Sequence, residues 1–413
     1  MERLEKFRRH LETGDWLTPE RMRNYALLIG VMSAIGLAAL WVTGDGLVDR
    51  FGRPIGTDFA NPYTAGLMAL DGAAAQIFDF IAHEQVQRAF FGGGEDHPFY
   101  GWPYPPVFLI PATGLALLPY LAALALYMSV TGLFYLAAIR SIIPLKSALI
   151  AAAAFPAVFV TVAHGQNAFL TAGLLGMGLA LLERRPWIAG LLLGALCYKP
   201  HLGLVLPLVL AAGGYWRSFA GAAISVVALS LASVVLFGLE PWVAFFGSGE
   251  VTRGYVLEQV PTGWFKIQSA FSAVRGMGGA VELAYALQAV VAVCVLGALA
   301  WLWWSVRSRP ENLLAAKAAT CSGALLVTPY VLDYDMLVLA PAVAFLVADG
   351  LSRGFRPYEK SLYAAIWLLP MIARPIAQYA HLPIGFIGMG GLFGFTVWTA
   401  LRNNRAEAVP AAA

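Results

Sequence analysis

Long apolar runs, bounded by short clusters of Arg, Lys, Pro or Gly, recur along the chain from Asn24 to Leu401. Runs of roughly 20 apolar residues are long enough to cross a bilayer as helices, which satisfy their own backbone hydrogen bonds there. The pattern predicts twelve spans, at 24–43, 117–140, 147–163, 167–182, 186–198, 201–213, 218–238, 281–305, 312–329, 333–349, 361–380 and 383–401. Lys and Arg orient them, because short cytoplasmic loops carry an excess of positive charge. Arg3, Lys6, Arg8, Arg9, Arg21 and Arg23 place residues 1–23 in the cytoplasm, and Arg184/Arg185, Arg307/Arg309, Arg353/Arg356 and Arg402/Arg405 fall on the same side. Residues 24–401 then form one transmembrane domain with outside loops at about 44–116 and 239–280, and residues 402–413 form a cytoplasmic tail. In the first loop, residues 65–91 have helical spacing and a mixed face (Leu67, Leu70, Ile77, Phe80, Ile81), as expected of a helix lying along the interface. The Pro-rich stretch 104–114 is expected to dip in at the outer face. The spans on either side of Lys199 are short, and two short helices meeting at a Lys-Pro break fit a cavity in the outer leaflet.

Composition agrees with an all-α polytopic membrane protein. Of 413 residues, 59% are hydrophobic and 12% charged, which a water-exposed globule of this size has no means of hiding. That excludes a soluble enzyme and a disordered or fibrous chain. A net charge of +3 gives no pull toward nucleic acid. Cys197, Cys294 and Cys321 lie in apolar runs without metal-ligand spacing and read as buried free thiols. There is no Walker A sequence, no His-Glu-x-x-His, no Gly-x-Ser-x-Gly and no clear inverted repeat, which weakens ATP-driven pumping, a zinc protease and an esterase.

The predicted topology brings four separated polar segments to the outer face: Asp58, His164–Asn167, Lys199–His201 and Thr328–Asp335. Asp58 is either a general base at the mouth of the bundle or a solvated loop carboxylate. Asp333, Tyr334 and Asp335 would bind a cation, orient a sugar or take a proton; the alternative is compensation of a helix start. Lys199, in the middle of an apolar stretch, needs an anion, for which phosphate is suited, unless it snorkels to the interface. Arg374, before Pro375, is a similar cation near an outer end. Gln166 and Asn167 offer donors and acceptors for sugar hydroxyls, although Asn167 also suits a helix cap. His164 fits a satisfied interface histidine, Tyr104 a membrane-entry turn, and Lys266 an interface loop.

The order of these elements resembles glycosyltransferase family 87, polytopic enzymes of the GT-C fold. The resemblance rests on Asp58, Tyr63-Thr64-Ala65-Gly66, Leu70-Asp71-Gly72, Tyr104-Pro105-Pro106, Gly165-Gln166-Asn167, Arg184-Arg185-Pro186, Lys199-Pro200-His201 and Asp333-Tyr334-Asp335, between about residues 24 and 350. It implies a mannosyltransferase-like enzyme of the bacterial cytoplasmic membrane. Its donor would be a polyprenyl-phosphate sugar, and its acceptor a lipid-linked or other glycan on the outer, periplasmic face. The family's essential acid in the first outside loop maps onto Asp58. Its Gly-Gln and Lys-Pro elements map onto Gly165-Gln166 and Lys199-Pro200. Many members carry a Trp and a His before the late helix, where this chain reads Thr328-Pro329-Tyr330-Val331-Leu332-Asp333-Tyr334-Asp335. The expected mechanism is a direct, inverting displacement with Asp58 as base and Lys199 and Arg374 on the donor phosphate. Tyr104, His164, Gln166, Asn167, His201, Asp333, Tyr334 and Asp335 would hold sugar and acceptor. It requires no cofactor and no metal, and leaves the sugar, acceptor and oligomeric state open. A lipid or sugar transporter or flippase, and a non-catalytic envelope scaffold, are the rival readings; neither would depend on a single loop acid for glycosyl transfer.

Overall fold

The computed structural model describes residues 2–92, 99–259 and 263–406; the end of the expected tail, 407–413, lies outside them. Among the described residues every regular element is a helix, and extended backbone pairs only in isolated bridges such as Ile267 with Leu332. Six helices are long and apolar enough to cross a membrane: Pro19–Val42, Tyr120–Ile142, Trp216–Phe237, Val281–Val306, Asp333–Arg353 and Ile384–Arg402. Lys146–Ala153 and Pro156–His164, bent by 47°, make a seventh if counted together. Where one span is expected at 147–163, Pro156 disfavours helical backbone at Phe155, which adopts ψ 127° and breaks the run. The other expected spans appear as the shorter apolar helices Ala168–Leu181, Pro186–Tyr198, Pro200–Gly213 and Leu313–Val327, and as Glu359–Ala380, which carries Pro370 and Pro375 inside it. By length and composition, then, six or seven spans stand where the hydropathy pattern predicts twelve.

Leu28, Val31, Met32 and Ile35 of the first long helix, Val227, Leu231 and Val235 of Trp216–Phe237, and Val290 and Val293 of Val281–Val306 all point outward. Such a surface is what lipid covers. Cys294 belongs to it, so the expectation that all three cysteines are buried fails there; Cys197 is half-buried and Cys321 buried, and all three are free thiols. Inside, small residues let helices approach closely. Gly190 and Gly194, one turn apart, lie on the Ser218 and Ala222 carbonyls of Trp216–Phe237, where any Cβ would collide with backbone.

The first loop forms helices, as expected, but one of them is enclosed in protein rather than laid along an interface. The loop folds as Ala60–Leu70, the short turn Gln76–Phe78, and Phe80–Phe91. Gly72, at φ 77°, turns the chain out of the first helix, and Asp79 starts the last by accepting the Ile81 and Ala82 amides. Ala60–Leu70 is enclosed in protein: residues 60–66 are all buried, and Gly66 lies against the Ala112 backbone of Leu109–Ala116. Apolar periodicity missed this because the buried face is made of Ala60, Asn61, Thr64, Ala65 and Gly66, residues chosen for size.

Candidate functional site

Two left-handed glycines set the site. Gly56, at φ 70°, opens the turn that carries Asp58, and Gly165, at φ 62°, ends Pro156–His164. Any Cβ at Gly56 would strike Leu124 and approach the Gly165 backbone, and one at Gly165 would strike Phe59 and Leu124. The two turns are therefore stacked. Tyr120 holds the first by donating its hydroxyl to the Ile55 carbonyl at 2.7 Å.

Stacking brings Gln166 to Asp58. The Gln166 amide nitrogen donates to Asp58 Oδ2 at 2.8 Å and to the Tyr334 hydroxyl at 3.1 Å. Its oxygen accepts the Asn167 amide at 3.0 Å and the Tyr104 hydroxyl at 3.5 Å. One buried amide thus ties together the first loop, the Pro-rich segment and the late helix, using its donors and its acceptor alike. Asp58 Oδ1 faces the Thr57 hydroxyl at 3.4 Å and His164 Nδ1 at 3.9 Å, and Thr57 and His164 are themselves 2.7 Å apart. The Asp58 side chain is 22% exposed, so it combines a fixed orientation with an open side. Asp49, by contrast, folds back on its own turn, accepting the Phe51 and Arg53 amides.

Asn167 occupies the cap position of Ala168–Leu181, yet its side chain does not cap. Its oxygen accepts from Lys199 Nζ at 3.2 Å. Lys199 also pairs with Asp335 Oδ1 at 2.5 Å, both side chains being buried, and its ammonium stands 5.3 Å from the centre of the Tyr334 ring. Asp335 spends its other oxygen on the Leu332 amide at 3.0 Å. Arg374 pairs with Asp333 Oδ2 at 3.1 Å and lies over the Phe265 ring. The two cations expected to be free for a phosphate are therefore each held by one of the two late carboxylates. The physical reason is desolvation: a buried ammonium without a counter-ion costs several kcal/mol or more. Neither helix capping nor ligand binding alone describes Asp333 and Asp335, which do some local capping and also neutralise distant cations.

Beyond Tyr104 and Tyr334 lies a cavity of about 220 Å³ lined by Tyr104, Tyr198, Lys199, His201, Arg253, Leu257, Tyr330 and Tyr334. His201 stands here with its Nε2 buried and without a hydrogen-bond partner, edge-on to Tyr330. It shares this cavity with Tyr104 and Tyr334, whereas Asp58, His164, Gln166 and Asn167 are not among the residues that line it.

Sequence reasoning missed several neighbours. Lys266, assigned to an interface loop, sits in this site: burial and the nearby Arg374 guanidinium pull its ammonium below the usual lysine value, with Asp58 and Asp333 opposing. The bridge of Ile267 to Leu332, and the Gln268 amide donating to the Val331 carbonyl at 2.7 Å, dock the second long loop against the late element. Burial pushes the Tyr100 phenol well up, and the Asp58 charge beside it adds to this. Tyr198 hydrogen-bonds Thr171 at 2.6 Å and, with Tyr330, lines the cavity. For Tyr198, next to Lys199, and Tyr330, inside Thr328–Asp335, the available signal was position; Lys266 and Tyr100 flank no residue singled out in the sequence. Among the described residues no three His, Cys, Asp or Glu side chains form a metal-holding group.

A model of glycosyltransferase family 87 matches residues 102–329, just over half of the chain. The match includes Tyr104, His164, Gln166, Asn167, Lys199 and His201, and leaves Asp58, Asp333, Asp335 and Arg374 outside it. No curated protein and no solved structure matches the chain significantly.

Proposed function

The chain belongs to glycosyltransferase family 87, and from that premise we propose that it transfers a sugar, mannose first among candidates, from a polyprenyl-phosphate donor to a lipid-linked or glycan acceptor. The observation that supports this most is the Gln166 amide, which holds an accessible carboxylate, Asp58, in one hydrogen-bonded unit with a buried cationic centre, Lys199, through Asn167. A base and a leaving-group stabiliser on opposite sides of one small space are what an inverting displacement requires.

In this reading Asp58 accepts the proton of the attacking hydroxyl as the anomeric carbon inverts. His164, beside it and linked through Thr57, gives that proton a way out. The donor phosphate meets Arg374, a third exposed, and Lys199, both already sharing charge with a carboxylate. Lys266 adds a third cation at the same mouth. Asp333 and Asp335 thus act first as holders of cations, and Gln166, Asn167, Tyr104 and Tyr334 line the path of the sugar. His201 and the aromatic cavity take the part of the donor or acceptor furthest from Asp58. The scheme places the site on the periplasmic face of a bacterial cytoplasmic membrane, with both termini in the cytoplasm. It treats the shorter helices as spans of a GT-C bundle.

The test is transfer in liposomes. Purified protein is given polyprenyl-phosphate-mannose labelled in the sugar and a membrane lipid extract. Wild-type transfer that collapses in folded Asp58→Asn supports enzyme and base together. Equal transfer by both removes Asp58 from the mechanism. Silence of wild type across several lipid-linked sugars favours a transporter.

A further inference from the structure

The helix Glu2–Thr13 stands apart from the rest of the chain in pattern and attachment. Leu4, Phe7 and Leu11 recur at i, i+3 and i+7 and form one narrow stripe. At roughly 100° per residue, Arg3 and His10 border one side of that stripe and Arg8 the other, while Glu5, Lys6, Arg9 and Glu12 lie further round the helix. Leu4 is 73% and Phe7 63% exposed. The helix is fastened at its C-terminal end: the Tyr358 amide donates to the Glu12 carbonyl at 2.8 Å, and the Ser361 hydroxyl donates to the Leu11 carbonyl at 2.7 Å. Gly14 then turns the chain against Lys360, and the Trp16 indole donates to Ser361. Away from this anchor, a cleft of about 520 Å³ separates the Glu5–Arg8–Arg9–Glu12 face from residues 355–357.

The anchor is the polar end of Glu359–Ala380, and the long apolar helix Pro19–Val42 begins five residues after Gly14. A helix tethered there lies where apolar helix surface gives way to water. Its stripe is too exposed for the fold to be its cover. A second copy offering the same stripe would set Arg3 and Arg8 beside their equivalents, like charge against like. Phosphodiesters oppose that charge, and acyl chains take the stripe.

We propose that Glu2–Thr13 lies in the membrane–water interface, with Leu4, Phe7 and Leu11 in the acyl boundary and Arg3 and Arg8 on the headgroups of an anionic leaflet. Cations on both borders of an apolar stripe, with the carboxylates further round, suit a surface that is apolar at its centre and negative at its rim. The surface is independent of the Asp58 site and makes no use of the transfer reaction.

Amide hydrogen exchange tests it on the full-length protein in nanodiscs of phosphatidylcholine alone or mixed with phosphatidylglycerol. Amides of residues 4–13 should exchange about tenfold more slowly in the anionic discs, and high salt should remove the difference, since surface attraction is screened. Leu4→Asp with Phe7→Asp should abolish protection in both discs. Arg3→Gln with Arg8→Gln should abolish only the dependence on lipid charge. The spanning helices serve as internal controls of folding, because neither set of changes touches them. Exchange indifferent to lipid charge overturns the proposal. So does protection that follows the number of protein copies per disc, which would identify the cover as a second chain.

Discussion

The helical run Asp333–Arg353 carries charge at both ends, and the two ends are built differently. At its start, Asp335 and Asp333 find cations 136 and 41 residues away, Lys199 and Arg374. At its finish, Asp349 pairs with Arg353 four residues on, and Arg353 reaches Glu359 six further. Glu359 is fully buried and also accepts the Arg356 amide at 2.8 Å, so this group is closed by the backbone of one short loop. The starting end instead opens onto a tyrosine-lined cavity and a partly exposed carboxylate, Asp58. Buried charge by itself is therefore a poor guide to chemistry. A local network fixes a turn; one assembled from distant segments around open volume arranges reactive groups.

The sharpest way to break that contrast is to neutralise one carboxylate at each end. Asp58→Asn should lower sugar transfer by about 10²–10⁴-fold at nearly unchanged unfolding temperature. Glu359→Gln should lower the unfolding temperature while the folded fraction transfers at the wild-type rate. Loss of transfer in both would make the two ends equivalent.

Next in size is the ion pair. Lys199→Met alone strands the Asp335 charge and should cost about 3–5 kcal/mol in denaturant unfolding. Lys199→Met combined with Asp335→Leu should recover most of that stability and none of the transfer. The matching double change, Arg353→Met with Glu359→Leu, should recover both.

A smaller effect separates acid sensitivity from either end. His83, in the first loop, is fully buried and donates its Nδ1–H to the Ile77 carbonyl at 3.2 Å; burial lowers its pKa to about 4. The unfolded chain binds a proton near pH 6.5 that the folded chain refuses until about pH 4, so stability is complete above pH 6.5 and falls as pH drops through that window. The loss amounts to roughly 3 kcal/mol, and His83→Gln should flatten it in unfolding curves between pH 4 and 7. Unchanged acid sensitivity in His83→Gln would return the effect to the carboxylates at the helix ends. Smallest is Asp79→Ala, which removes the cap of Phe80–Phe91 and should cost about 1 kcal/mol without altering transfer.

Much of this was legible in the sequence. The break at Lys199-Pro200 follows from proline alone, and Lys199 adopts the non-helical φ −132°, ψ 67° expected before it. The gathering of Asp58, Gln166, Lys199 and Asp335 at one place followed from counting spans. What sequence did not convey was pairing. Lys199 and Arg374 each looked like a lone cation because their partners are far away in the chain. Lys317 escaped notice altogether, hidden among alanines, although it forms a 2.7 Å pair with Glu183. Lys266 looked like interface because its loop is joined to the late element by backbone contacts at Val331 and Leu332, which leave no side-chain pattern. Small residues caused the other misreading: hydropathy registers Gly66 and Ala60 as weak, whereas packing uses them for their lack of bulk.

The stacked turns at Gly56 and Gly165 make a statement about genetics. Both press on Leu124, so a methyl group at either collides with the same side chain. In a saturation library the two positions should share one tolerance profile, accepting glycine and little else. Suppressors of an alanine at Gly56 should then be recovered at a third locus, as shortened side chains at Leu124, whereas an alanine at Gly165 also meets the Phe59 Cβ and should resist that rescue.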